Sequence, residues 1–548
     1  MKHLLRLFGL SAMLLWVSAV PASAMTDAQG LNQWLQQPRL QFGDAEIETR
    51  TLSEFYTSRN FQPVWVDTHG LSAASVQMLD LFAAAGNHGL NPTRYHTQTI
   101  RAVASMPAHD ETTMLQVRLS LELLMSDAVM RYGADMRGGA VRPQWDAGKG
   151  RISPDDLRRL LTQAAGATNP ATVLAALAPK SPQYAGLQAS LQHYQSLAAH
   201  GGWPNFSVGK PIKPGANDPR IASLREILTI TGDMPAAMAS TNPTLYDTAI
   251  EHAVRQFQAR HGVTADGVIG TGTQEALAVS APERVAQLAI TLERMRWMPD
   301  NLGPRYVLVN IPSYTLTAVS GSNQMAMNVI VGKRDTKTPM FSKEITNVVL
   351  NPSWGVPQKI AIKEMLPKVR KNPQYLSNAG YTVTETRGGV SYQVNPQDID
   401  WNSVGQGNFA YNFRQNPGDG NALGKVKFTI PDSDNIYLHD TSQRGLFVKS
   451  ERSLSHGCVR LADPKALAEF VLRDEGWSEA KIDAAYDSDA SRTVPIAPLP
   501  VHLVYWTSWV DGAGNTHFSR DVYGMDKPLL TAMGEPKNRV ETVKLAMN

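Results

Sequence analysis

One cysteine stands in 548 residues, within Ser455-His456-Gly457-Cys458-Val459-Arg460-Leu461. Alone it makes no intramolecular disulfide, and metal centres draw on several ligands together. The thiol is therefore a small buried hydrophobe, a free reactive group or a nucleophile. Its neighbours favour the nucleophile. Gly457 lets the backbone approach a substrate closely, and successive N–H groups there can receive an oxyanion. His456 and Arg460 bring positive charge, which favours thiolate over thiol. Nineteen residues upstream of the cysteine, Ile436-Tyr437-Leu438-His439-Asp440-Thr441 supplies a second imidazole. A free thiol titrates near about pH 8.5, so a neighbouring base must take its proton at neutral pH. Adjacent residues of an extended chain point to opposite faces, which turns His456 away from the sulfur. His439 arrives from a separate segment and is the expected base. Asp440 is not read as the third member of a triad, because neighbours in a strand diverge.

Tyr437-x-His439 followed by Ser455-His456-Gly457-Cys458-x-Arg460 resembles the active-site signature of the L,D-transpeptidases of bacterial cell walls. The flanks resemble the large multidomain Gram-negative branch of that family. The resemblance implies that Cys458 attacks a tetrapeptide stem at its third residue, releases D-Ala and forms a thioester. The acyl group then passes to a diaminopimelate side-chain amine to make a cross-link. His439 is the implied base, oriented by a backbone carbonyl, and Gly457 with Cys458 supplies the oxyanion donors. Substrate contacts are expected from Tyr437, Arg460, Ser455, His456 and Trp354. No cofactor and no metal is implied. The expected partners are peptidoglycan tetrapeptide stems as donor and acceptor, other cell-wall synthases, and carbapenems as covalent inhibitors. The same thioester also serves an L,D-carboxypeptidase or a transferase that anchors a protein to the wall. A non-catalytic wall-binding protein is the rival of a different class, against which the intact Cys458 and His439 argue.

The elements that must position these residues divide the chain into domains, and the reading is a multidomain α+β protein. Residues 1–24 read as a signal peptide: Lys2, His3 and Arg6, an apolar run, then Ala22-Ser23-Ala24. That implies export to the periplasm, with an uncleaved inner-membrane anchor as the alternative. Residues 45–200 read as a helical scaffold domain. Leu115, Leu119 and Leu123 line one side of a helix expected to stop at Gly133. Residues 215–280 carry a three-helix pattern in which Ile250, Ala253, Val254 and Phe257 form a core stripe. Thr271-x-x-Gln274 is expected to cap the last helix. This pattern resembles the peptidoglycan-binding helical module. From Tyr306 the period falls to two, opening a mainly-β catalytic domain over 304–496. Residues 352–414 interrupt it with a polar, basic, irregular insertion expected to act as a lid. Strands within 497–548 are expected to pack on the catalytic domain.

Composition agrees with an exported chain of several domains: 43% hydrophobic residues, and a formal net charge of +3 that marks no nucleic-acid partner.

Overall fold

The computed structural model describes residues 25–143, 152–235, 242–488 and 490–534. The signal-peptide reading of residues 1–24 lies outside them. Two compact units form, one from Met1–Asn301 with Trp506–Asn548, the other from Leu302–Tyr505. No helix among the described residues is long and apolar enough to cross a membrane.

The first unit is built around the helix Glu111–Gly138, capped by Asp110, which accepts from the Thr113 N–H at 2.8 Å. Three of its acids, Glu122, Asp127 and Asp135, are buried. Glu122 accepts from the backbone N–H groups of Val64, Trp65 and Val66 and from the Tyr56 hydroxyl. The helix runs through Gly133 where the sequence suggested an end. A Cβ there would meet Leu160 Cδ2 at 2.0 Å, so this glycine serves close packing. Three further helices, Arg220–Ile230, Thr248–Arg260 and Thr271–Leu277, enclose a core of Ile221, Leu224, Ile250, Phe257 and Leu277. The expected Thr271 cap is corrected. Gly270 holds that position, and Gln274 instead donates to the Ile269 carbonyl and accepts from the Gly209 N–H.

The second unit holds a nine-stranded sheet. Its order is Ser453–Ser455, Asn323–Gly332, Val459–Leu461, Tyr437–His439, Val426–Thr429, Phe341–Leu350, Arg492–Val504, Arg305–Asn310 and Thr315–Ser320. Thr315–Ser320 also pairs with Asn323–Gly332, so the ladder closes on itself and leaves few free edges.

Two expectations are corrected. The 352–414 insertion is neither irregular nor without structure of its own. It folds as short helices and a four-stranded sheet of Trp354–Gly355, Tyr381–Arg387, Val390–Val394 and Tyr411–Gln415. Met365, Leu366, Val369, Leu376, Trp401 and Phe413 form its separate core. The C-terminal strands do not all join the catalytic sheet. Arg492–Val504 does, but Ser508–Val510 and Thr516–Phe518 make a hairpin within the first unit. Side-chain amides hold it there: Gln183 accepts from the Val510 N–H, and Gln287 donates to the Thr507 and Ser519 carbonyls.

Candidate active site

Two short strands bring the two halves of the sequence signature together. Tyr437–His439 and Val459–Leu461 pair in parallel, with Leu438 opposite Val459 and His439 opposite Arg460. The interior takes Leu438, Val459 and Leu461, all buried. Alternation then places Tyr437, His439, Cys458 and Arg460 on the other face, with Cys458 next to Tyr437 and His439 one step along. From the antiparallel neighbour, Lys427 stands opposite His439 and joins the same face.

Contacts fix this group. The Tyr437 and His439 rings meet edge to face with centroids 5.4 Å apart, and Lys427 Nζ lies 4.2 Å above the Tyr437 ring. The His439 Nδ1–H donates to the Asp440 carbonyl, which leaves Nε2 as the basic nitrogen. The Asp440 carboxylate is occupied by the Lys425 and Thr441 N–H groups and by Arg444. The thiol donates to the Asn435 carbonyl at 3.5 Å.

The turn that carries the cysteine is braced from below. Gly457 has φ +120°, and a Cβ there would lie 3.0 Å from Ile436 Cδ1. Its N–H donates to Ser455 Oγ at 3.1 Å, and the same hydroxyl donates to the Cys458 carbonyl at 2.6 Å. Gly457 is therefore not an oxyanion donor in this geometry, and the buried Ser455 braces the turn instead of meeting a ligand. Thr338 completes the support, accepting from the Gly332 N–H at 2.8 Å and donating to the Gly457 carbonyl at 2.7 Å.

The remaining sequence candidates divide. Trp354, at the first strand of the insertion, lies tilted against Tyr381 with ring centroids 6.5 Å apart. His456 points to the insertion, where its Nε2–H donates to Glu364 Oε1 at 2.5 Å. Its ring is directed there and not at the thiol. Arg460 donates to Gln443 at 2.8 Å and has a buried Nε without a partner.

Electrostatics set the resting state. Burial pushes the Cys458 thiol up, outweighing the Tyr437 N–H and phenol, Lys427 and Arg460, which pull it down. The expected bias toward thiolate is thus reversed. Burial also pulls His439 down to about 3, helped by Arg460 and Lys427. A neutral thiol therefore faces a neutral imidazole. Tyr437 is pushed well above the ordinary phenol range, first by burial and then by Cys458, so it remains a donor.

Sequence reasoning missed Lys427, Thr338 and Asn435. Only Lys427 left a signal: it is the polar member between Val426 and Phe428, both buried, in an alternating run.

Residues 304–495 match the L,D-transpeptidase catalytic domain (YkuD). The chain carries an L,D-transpeptidase domain. Residues 217–277 match a "Putative peptidoglycan binding domain" and residues 50–191 a scaffold domain. A "Putative L,D-transpeptidase" of Haemophilus influenzae is 38% identical over 245 residues, covering 44% of this chain and 48% of the relative. The chain thus spans about half the length of the curated relative it matches. Among solved structures, the Ldtfm–avibactam carbamoyl enzyme is 11% identical over 38% of this chain and 51% of its own, with a TM-score of 0.17. The L,D-transpeptidase of Xylanimonas cellulosilytica is 14% identical over 54% of this chain and 99% of its own, with a TM-score of 0.15. Scores this low carry no structural argument. Among the described residues the transpeptidase domain and its neighbours hold no cluster of metal-ligating side chains.

Proposed function

We propose that the protein is a peptidoglycan L,D-transpeptidase acting outside the cytoplasmic membrane, with Cys458 as nucleophile and His439 as base. The observation that carries this reading is the parallel pairing that sets His439 and Cys458 on one face of the transpeptidase domain. As the sulfur attacks the carbonyl of the third residue of a tetrapeptide stem, its proton passes to His439 Nε2. The C–N bond to D-Ala breaks, and His439 returns that proton to the leaving amine. A diaminopimelate side-chain amine then attacks the thioester and gives a proton to His439. The new amide forms, and the proton returns to the thiolate.

Because the pair starts uncharged, charge develops only along the reaction, and donors aimed at it act there. Gly457 being committed to Ser455, the Cys458 N–H and the Tyr437 phenol are the donors that remain beside the sulfur. Lys427 and Arg460 add positive potential on the same face. Trp354 and Arg460 are the substrate contacts this geometry favours.

Incubating the mature chain with purified disaccharide-tetrapeptide and weighing the products tests the reading. A cross-linked dimer with released D-Ala is expected. Tripeptide alone would make the protein an L,D-carboxypeptidase, and unchanged substrate would leave it a binding protein.

A further inference from the structure

The first unit contains a crevice of about 420 Å³ between the helix Ala281–Arg296, the end of the three-helix module and the C-terminal segment. Its floor is a guanidinium. Arg284 is 5% exposed, and no carboxylate of the described residues lies within ion-pair distance of it. Its Nη1 donates to Gln287 at 2.8 Å, its Nη2 to the Ala276 carbonyl at 2.9 Å, and its Cζ lies 4.4 Å from the centroid of the Phe518 ring. Those two bonds use two of five N–H donors.

The acids that line the crevice are already engaged. Glu275 pairs with Arg520, Glu283 accepts from Ser280, and Asp526 pairs with Arg294. Asp521 accepts from the Met525 and Asp526 N–H groups.

A second group points the same way. Ser519, 6% exposed, lines the crevice with a buried hydroxyl that has no hydrogen-bond partner. A buried cation without an ion-pair partner and a buried hydroxyl without a hydrogen-bond partner are each costly, and both belong to one recess. Burial above all, with Arg260 adding to it, pulls the Arg284 guanidinium down to about 10 against the opposing pull of Tyr194 and Glu283. The walls between are apolar: Val279, Ala276, Ile290 and the Phe518 ring. His261 on the same wall is held neutral by burial, so it does not repel a cation or replace an anion.

We propose that this crevice binds a carboxylate with a short apolar side chain, Arg284 and Ser519 holding the carboxylate and the apolar wall the side chain. Resting on the proposed peptidoglycan substrate, the ligand class is the terminal D-Ala carboxylate of a stem peptide, held at a second site within the first unit. The three unused Arg284 donors suit a planar carboxylate, and the hydroxyl adds one further donor.

The test is calorimetric titration of the full mature chain carrying Cys458→Ala, which prevents turnover. The probes are N-acetyl-D-alanine and its carboxamide. The acid is expected to bind, and the amide about tenfold or more weakly, because it loses the charge-assisted bonds. Ser519→Ala should weaken the acid by a smaller factor and Arg284→Gln by about tenfold or more. Circular dichroism identifies a variant that has unfolded. Should Arg284→Gln unfold, the acid-to-amide ratio in the otherwise unchanged chain and the Ser519→Ala variant still decide. Equal binding of acid and amide, or no binding of the acid, overturns the proposal. Product formation by the wild type is scored separately. Product without acid binding overturns the crevice alone, and acid binding without product overturns the Cys458 reaction alone.

Discussion

His456 Nε2 and Glu364 Oε1 lie 2.5 Å apart, linking the cysteine turn to the inserted subdomain. His439 makes no such link. Its Nδ1–H goes to the Asp440 carbonyl beside it, and its Nε2 is left on the face that carries the sulfur. The two imidazoles of the signature are therefore sorted by their partners, and the proposed function assigns proton transfer to His439 and bracing to His456.

From that sorting, His439→Ala should lower the rate of D-Ala release by roughly two to four orders of magnitude, the usual loss with a general base. His456→Ala should cost far less, and Glu364→Gln should match it, because both break one contact. Steady-state rates on disaccharide-tetrapeptide measure all three. Equal losses for the two histidines would overturn the assignment.

The pH profile follows from the resting state. His439, held near 3, is already in its basic form through the mildly acid range. Acylation of Cys458 should therefore show no acid limb between pH 5 and 7, and should rise toward alkaline pH as the raised thiol begins to ionise. Stability has the opposite sensitivity. Because the folded imidazole binds its proton less well than the unfolded one, the unfolded chain takes up more protons below about pH 6.5. Stability present above that pH is lost as pH falls toward 3, and His439→Gln should flatten this part of the melting-temperature profile.

The cysteine turn should be intolerant of a side chain at Gly457. Its φ of +120° and the 3.0 Å approach to Ile436 both oppose a Cβ. Gly457→Ala should cost about 1–3 kcal/mol by denaturant unfolding and lower acylation together with it. Thr338→Val strands the Gly332 N–H and the Gly457 carbonyl. It should cost about 1–3 kcal/mol, with acylation slowed by the loosened turn.

Much of this was legible in the residues, and what was not has identifiable causes. The helix starts at Ser153 and Ser181 are written locally, as side chains that accept from N–H groups three residues on. The strands from Arg305 are written as period-two alternation. The insertion hid its core because Met365, Val369, Leu376, Trp401 and Phe413 fall on helices, strands and loops too short for any period to show. The C-terminal hairpin carries a strand pattern, but its location is set by Gln183 and Gln287, hundreds of residues away. Gly457 and Ser455 were visible as residues. Which way the glycine N–H points depends on a positive φ that no spacing encodes.

Because the insertion has its own core, it should lose structure independently of the sheet. Trp401 is 3% exposed, donates to the Pro396 carbonyl and packs on Tyr411 and Phe413. Trp401→Ala should cost that subdomain about 3–5 kcal/mol. Hydrogen exchange should accelerate across residues 356–414 while the strands Phe341–Leu350 and Arg492–Val504 keep their protection. Uniform loss of protection would mean that the insertion and the sheet unfold as one.

Carbapenems should acylate Cys458, whereas ampicillin should do so poorly. A β-lactam presents a strained amide carbonyl, and opening it asks of the site what the stem amide asks: attack by sulfur, proton transfer to His439, and donors for the developing oxyanion. The donors that remain, the Cys458 N–H and the Tyr437 phenol, lie close to the sulfur, on the face that also carries His439, Lys427 and Arg460. A compact side group beside the reacting carbonyl suits such a crowded approach better than a bulky acylamino group. Meropenem incubated with the mature chain should give one covalent adduct by intact mass, placed by peptide mapping on the fragment holding Ser455 to Arg460. The adduct should be absent from Cys458→Ala and slow in His439→Ala. Tyr437→Phe, which keeps the ring against His439 and removes the phenol, should slow acylation by about tenfold or more, since a lost oxyanion donor raises the barrier. An adduct on Cys458→Ser at the wild-type rate, or none on the wild type, would overturn the nucleophile assignment.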